Sequence, residues 1–493
     1  MHACIIFVPR KWLILVVRLD DMAQQDVPLE NLLSLPSRAN LRSHLYNLTR
    51  RSHVAGTPGD YHDAHYVLRV LSSLRGFEAH LENVDVMLTY PSGRPHLVAP
   101  DIGYVAQLSE DVLVEDSTSD TPWRNHTFNA YSPSGNVTSP LVYANYGRPS
   151  DFDALEALGI SIQDKIVIMR YGKCFRGLKA MNAESRGAIG SIIYSDPMED
   201  GYAPGRDAYP KGPWRPRSSV QRGSVQYNSR CAGDPWRLYA TKDNQTTVED
   251  ICGYLTEELI PRHPVLPISY GDAEPLLRAL GGPMPAAEAA FQGGLENLVY
   301  TVGPSAFDVT LVTQNAFAPG KIPNVIATLE GTDRKAGPVI LGNHRDAWVF
   351  GAVDPNSGTT ALLEVGRCLS ALYSGGWRPR RSIVLASWSG EEYGLLGSTA
   401  FAEMHENEHI MQNAIAYLNV DIAVGGNKRL EASATHSLDK LFLSAASKVP
   451  SPDDDPANPQ KKLIDNVSGE MGTLVRRKIT ELYIASSPLT SMC

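Results

Sequence analysis

The last third of the chain constrains its fold most. From about residue 322, short apolar runs alternate with amphipathic stretches at regular intervals. PVILGN (338–343), SIVLASW (382–388), IAYLNVD (415–421) and KRLEAS (428–433) read as strands. SGTTALLEVGRCLSALYS (357–374) and stretches near 395–405 and 437–448 carry apolar residues at helical spacing. Apolar runs without alternation suit strands covered on both faces, and a helix between successive strands suits a crossover that keeps them parallel. The segment therefore predicts an α/β fold, a mainly parallel sheet sandwiched by helices. Ligand sites in such sheets lie in loops at the carboxyl ends of the strands.

Three of those loops are rich in metal-binding side chains. GNHRDAWVFGAVDPNSG supplies His344, Asp346 and Asp354; WSGEEYGLLGS supplies Glu391 and Glu392; YLNVD ends in Asp421. Each is ordinary alone: Asp354-Pro355 reads as a turn, and Glu391-Glu392 as a helix start favoured by the helix dipole. Together, at successive strand ends of one sheet, they predict convergence. A histidine with carboxylates suits a borderline cation such as zinc. A carboxylate can bridge two metals about 3.5–4 Å apart. Of two adjacent glutamates, one can bind metal while the other serves as general base. An aspartate two residues from a liganding histidine can orient its other ring nitrogen.

The earlier sequence reads differently. Residues 28–50 are a helical lead-in, 60–74 a helix and 83–89 a strand. Between 94 and 321, Pro, Gly and Ser are frequent, with strand-like runs at 140–146, 165–169 and 190–194. An amphipathic helix between the last two makes a β-α-β unit; residues 204–250 show no convincing element. The expected division is a signal or anchor candidate at 1–27, a lead-in at 28–93, a middle segment of different texture at 94–321, and the main α/β part at 322–493. The apolar run after Pro9, Arg10 and Lys11 is short of the roughly 20 residues that span a bilayer. Sequons at Asn47, Asn125, Asn136, Asn244 and Asn466 lean towards the secretory route and a lumenal, extracellular or membrane location. Lys+Arg number 45 against 54 Asp+Glu, a net charge of −9 without a basic run, which excludes general nucleic-acid binding. Six cysteines without a C-x-x-C pair exclude a cysteine zinc knuckle.

The combination H-x-D, D-P-x-S-G, W-x-x-E-E-x-G-L-L-G-S and N-x-D resembles the glutamate carboxypeptidase II family, membrane-anchored co-catalytic zinc peptidases that include the transferrin receptors. The resemblance runs from about residue 40 to about 470. It takes in HVAGTPGD, LVYANYGR, KIVIMRYGKCFRG, GSIIYSDP, SVQRGS and GWRPRRSIVLASW. It implies a zinc exopeptidase fold with an inserted protease-associated domain, and two zinc ions. His344 and Asp421 would bind one ion, Glu392 the other, and Asp354 both. Glu391 would be the general base and Asp346 would support His344. Arg176, in F-R-G, would hold the terminal carboxylate of a peptide or dipeptide substrate, a task that suits its fork of donors.

The resemblance also implies a second histidine ligand beyond the third strand and a C-terminal helical domain that makes much of a homodimer contact. After about Gly469 the sequence departs from the family pattern, and its last histidine is His436. The chain is therefore expected to lack that ligand and that domain. Ser224 stands where glutamate-selective members have Asn, Glu431 where they have Arg, and Ala400 where the family's calcium site has Glu, with Glu403 retained. Selectivity for a terminal glutamate is thus not expected from these positions. Two other readings compete with the zinc exopeptidase: a non-catalytic receptor-like relative, and an inactive piece of an active peptidase.

Overall fold

The computed structural model describes residues 29–200, 207–238, 247–283, 291–424, 434–451 and 460–466. The anchor candidate at 1–27, the strand expected at 428–433 with Glu431, the sequon at Asn244, and the chain after 466 lie outside them. The strands are β1 (Phe77–Pro91), β2 (His96–Ala99), β3 (Tyr104–Val105), β4 (Asn129–Ala130), β5 (Gly135–Tyr143), β6 (Ile166–Arg170) and β7 (Gly190–Tyr194). They continue with β8 (Gly223–Ser224), β9 (Val265–Ile268), β10 (Asp308–Thr313), β11 (Asn315–Leu329), β12 (Val339–His344), β13 (Ile383–Trp388) and β14 (Ala416–Asn419). The described residues form two units. One comprises 29–85, 321–391 and 395–466; the other comprises 86–320 and 392–394.

The first unit contains a five-stranded sheet of order β1-β11-β13-β12-β14. β12 pairs parallel with β13 (His344 opposite Trp388) and with β14 (Gly342 opposite Asn419). β11 runs antiparallel to β13. The parallel arrangement thus holds for the three strands that feed the acidic loops. Alternate residues serve opposite faces. Leu385 packs with Val67, Leu71, Leu362 and Leu363, which come from the helices Pro58–Ser72 and Asn356–Ser374. Ile340, Val384, Ala386 and Trp388 pack with Phe401 of the helix Leu396–Met404. Each fully buried Leu, Ile or Phe contributes roughly 1.5–3 kcal/mol. The helical lead-in is two helices, Leu29–Ser34 and Arg38–Leu48. The break falls at Pro36-Ser37, where the Ser37 hydroxyl caps the second helix by accepting from the Asn40 amide.

The second unit is built on a seven-stranded sheet of order β3-β2-β10-β5-β6-β7-β9. β5, β6, β7 and β9 are parallel neighbours, and the helix Arg176–Glu184 crosses over between β6 and β7. Every residue of β6 and β7 is buried, as their unbroken apolar runs require. The stretch 204–250 is not free of regular structure: β8 pairs parallel with β4, and Val248 opens the helix Val248–Cys252. Two-residue strands carry no periodicity, so this pairing leaves no trace in the sequence. A disulfide joins Cys231 and Cys252, their Cα atoms 5.7 Å apart. Among the described residues, no helix is long and apolar enough to cross a membrane.

Candidate metal and catalytic centre

His344 is the last residue of β12, Glu391 opens the turn after β13, and Asp421 lies two residues beyond β14. Because these strands are parallel neighbours, their carboxyl ends meet. One ligand atom each from His344, Asp354 and Asp421 lies within 4.8 Å of the others. His344 Nε2 is 3.0 Å from Asp421 Oδ1, 3.5 Å from Asp354 Oδ1 and 3.8 Å from Glu391 Oε2. Its Nδ1 bonds the Asp346 main-chain carbonyl at 3.1 Å, with the Asp346 carboxylate at 3.5 Å. Asp346 therefore touches the second ring nitrogen through two groups. Its carboxylate also accepts the Glu391 amide at 3.1 Å, which couples the two loops.

His344 and Asp346 are buried, whereas Asp354, Asp421 and Glu391 reach solvent, Glu391 with a third of its side chain. Burial alone would lower the His344 imidazole. The carboxylates of Glu391, Asp346, Asp354 and Asp421 outweigh it and hold the ring well above its ordinary range. Burial raises the Asp346 carboxyl, but His344, the Glu391 amide and Arg345 hold it below the usual value. Glu391 is pushed up to about 7, by desolvation and by neighbouring carboxylates, against the pull of His344. A nitrogen ligand ringed by four carboxylates calls for positive charge, and its donor set suits zinc.

The loops are held by residues whose chemistry the motif reading did not use. Asn343, beside His344, donates to the Val420 carbonyl at 2.8 Å and accepts from Thr359 Oγ1 at 2.5 Å. Thr359 Oγ1 also donates to the His344 carbonyl. Gly358 lets the Asp421 loop come close: a Cβ there would lie 2.0 Å from the Val420 oxygen and 2.2 Å from that of Asp421. The HVAGTPGD segment lies under the first loop. His53 bonds Asn356 at 2.9 Å, and its main chain exchanges hydrogen bonds with Val349 and Ala347. Asp60 pairs with Arg345 at 3.0 Å, and both side chains are fully buried. Its other oxygen accepts from Ser389 Oγ at 2.6 Å and from the Gly56 amide at 2.9 Å. Tyr417, in β14, accepts from Trp388 Nε1 and is pushed up to about 12 by burial.

The remaining expected residues are not among the three of this set, His344, Asp354 and Asp421. Glu392 is half-buried on the turn Glu391–Gly394 and is not in the convergent ligand set. Arg176 opens the helix Arg176–Glu184 in the second unit, its guanidinium against the rings of Tyr171 and Phe175. His436 bonds Asp439 at 3.2 Å. Ser224 is buried, and its hydroxyl accepts from the Gln226 amide at 3.1 Å.

Residues 324–467 match peptidase family M28, and residues 137–227 match the PA domain. A probable glutamate carboxypeptidase of Arabidopsis thaliana is 39% identical over 451 residues, covering 90% of this chain and 62% of that protein. A probable glutamate carboxypeptidase of Arthroderma benhamiae is 40% identical over 76% of this chain and 52% of its own length. An aminopeptidase of Rattus norvegicus is 33% identical over 86% of this chain and 58% of its own. The chain thus spans a little over half of these relatives. Among solved structures, a peptidase M28 precursor of Shewanella amazonensis matches with a TM-score of 0.51 at 17% identity. That match covers 85% of this chain and 78% of the other, a likeness of fold.

Proposed function

This chain belongs to the glutamate carboxypeptidase family, with M28 peptidase and PA domains, and from that premise we propose that it is a zinc-dependent exopeptidase acting on peptides or dipeptides. The observation that carries the reading is the convergence of His344, Asp354 and Asp421 beside Glu391. His344 and Asp421 would hold one zinc, Glu392 a second, and Asp354 would bridge. Zinc, when bound, supplies Lewis acidity that polarises a peptide carbonyl and acidifies water. Glu391 takes the proton of the attacking water and returns it to the leaving amine. Its upward-shifted carboxyl is suited to both transfers near neutral pH. Asp346 keeps the His344 ring in place through Nδ1. Arg176 receives the substrate's terminal carboxylate through its paired donors.

The competing reading is a metal-binding relative without turnover. Metal analysis of the purified chain, with hydrolysis of N-blocked and N-free dipeptides, separates the two. The peptidase reading expects bound zinc and turnover that falls roughly 100-fold or more in Glu391→Gln. Two ions per chain support the bridged arrangement, and one ion refutes it. Bound zinc without turnover, in this chain and in one extended through the remaining length of its relatives, supports the second reading. An extracytosolic location is supported by the Cys231–Cys252 disulfide and by the exposed Asn136 in its sequon. A glycosidase-sensitive shift in mass checks it.

A further inference from the structure

The Arg176 guanidinium has two aromatic neighbours, with Cζ 5.7 Å from the Tyr171 ring centre and 5.4 Å from that of Phe175. A further neighbour is Gly223, which has no Cβ. A Cβ placed on Gly223 would lie 2.2 Å from Arg176 Cζ and 2.4 Å from Nε and Nη1, well inside any van der Waals contact. Among the described residues, no carboxylate pairs with this guanidinium, and its buried Nε has no hydrogen-bond partner. The rings of Tyr171 and Phe175 and the Gly223 main chain bound the group.

The Gly223 main chain, by contrast, is fastened. Its carbonyl accepts from Asn129 Nδ2 at 3.1 Å, and it pairs with Asn129 in the β4–β8 ladder. On one side, Arg222 donates to the carbonyls of His126 and Trp123 and pairs with Glu110 at 2.8 Å. On the other, the Val225 amide bonds the Ala130 carbonyl. The start of the Arg176 helix is docked too: a Cβ on Gly177 would meet the Gln226 carbonyl oxygen at 2.4 Å. Added bulk at position 223, where φ is +157° and a side chain is strained in any case, therefore bears on the free end of Arg176, the flexible partner, while hydrogen bonds hold the main chain on both sides.

We infer that Gly223 is a specificity-determining positioning residue, whose missing side chain sets the Arg176 guanidinium where it receives the substrate's terminal carboxylate. This rests on the proposed role of Arg176 and extends it. A fork that pairs two oxygens tolerates little misplacement, because both N–H···O bonds must align together. A methyl group at 223 shifts the fork and removes the advantage of a free carboxylate over a neutral end.

The test has two arms. A crystal structure of Gly223→Ala should show the guanidinium displaced by an ångström or more, with residues 222–225 unmoved. An unmoved guanidinium, or a moved backbone, overturns the inference. Calorimetry then measures binding of N-acetyl-alanyl-leucine and its C-terminal amide to zinc-loaded chains carrying Glu391→Gln. Gly223→Ala should weaken the acid about tenfold or more and leave the amide unchanged. In an Arg176→Lys background, which lacks the guanidinium plane, it should add nothing. Equal loss for acid and amide, or further loss in the Arg176→Lys background, signals general damage and overturns the inference. If Arg176→Ala abolishes the preference for the acid while Gly223→Ala preserves it, the inference fails and the role of Arg176 stands. If the parent chain does not distinguish acid from amide, the role of Arg176 falls, and the inference with it.

Discussion

The ion pair between Asp60 and Arg345 makes a sharp stability prediction. Both side chains are fully buried, 3.0 Å apart, and Arg345 sits in sequence between the proposed ligand His344 and Asp346, its proposed support. Arg345 also donates to the Ser387 carbonyl at 2.9 Å and to the Pro323 carbonyl. Replacing Asp60 with Asn preserves volume but leaves a guanidinium buried without its counter-charge. Breaking a buried pair from one side costs about 3–5 kcal/mol. The carbonyl oxygen of Asn can take either the place facing Arg345 or the place that accepts from both Ser389 and Gly56, so its NH2 faces donors on the other side, and a lost bond to a charged group is worth about 1.5–3 kcal/mol. These terms overlap, so Asp60→Asn should destabilise the unit by about 4 kcal/mol. Arg345→Met alone strands the aspartate and should cost a similar amount. The double variant should cost clearly less than the sum, with a coupling of about 2 kcal/mol or more. Because the chain has two units, a single unfolding midpoint is ambiguous. Hydrogen exchange of the β12 and β13 amides reads the relevant sheet directly. A loss below about 1 kcal/mol in Asp60→Asn, or additive single variants, would show that the pair does not hold the loop and would refute the reasoning.

Gly358→Ala should lower zinc affinity about tenfold or more in a chelator competition, since its methyl must push the Asp421 loop outward. Stability should fall as well, because the clash is with main-chain oxygens and the roughly 1 kcal/mol that alanine gains over glycine in a helix offsets it only in part. Lys179 is fully buried, donating to the carbonyls of Tyr146 and Gly172, and desolvation lowers it to about 7, with Asp151 and Glu199 pulling the other way. Between pH 7 and its ordinary 10.5 the unfolded chain holds a proton that the folded one does not, so this group adds stability as pH rises across that window. Denaturant unfolding of wild type minus Lys179→Met should therefore rise with pH by up to about 1.4 kcal/mol per unit, and a flat difference would contradict the assignment. Removing the disulfide in Cys231→Ser/Cys252→Ser, which spans a separation of 21 residues, should cost the second unit about 3 kcal/mol in the same assay.

The sequence carried the sheet and the ligand loops because both have a local signature. Buried parallel strands read as apolar runs, and the helix Asn356–Ser374 carries its own period, so β12, β13 and β14 were legible along with the loop after each. Two parallel pairings suffice to make His344, Glu391 and Asp421 neighbours, although 77 residues separate the first and last. The groups that support those loops have no such signature. Nothing in HVAGTPGD says that Asp60 is to meet Arg345 at a separation of 285 residues. Nothing in GNH says that the Asn343 amide will hold the Asp421 loop.

The same asymmetry bears on how the site works. Three of the proposed ligands come from different strand ends, so each is only as well placed as the bonds between loops. Several of those bonds run through uncharged or internally neutralised groups: Asn343 to Val420, Thr359 to His344, and Arg345 to Asp60. A scaffold of free carboxylates would compete for the cation, whereas amides, a hydroxyl and a closed ion pair do not. Asp346, Asp354, Glu391 and Asp421 surround the His344 imidazole. Variants in the scaffold should accordingly change metal affinity without moving the pH dependence of turnover, while variants in the four carboxylates should move both. A scaffold variant such as Asn343→Ala that shifts the pH profile as far as Glu391→Asp does would show that the two layers are not separate.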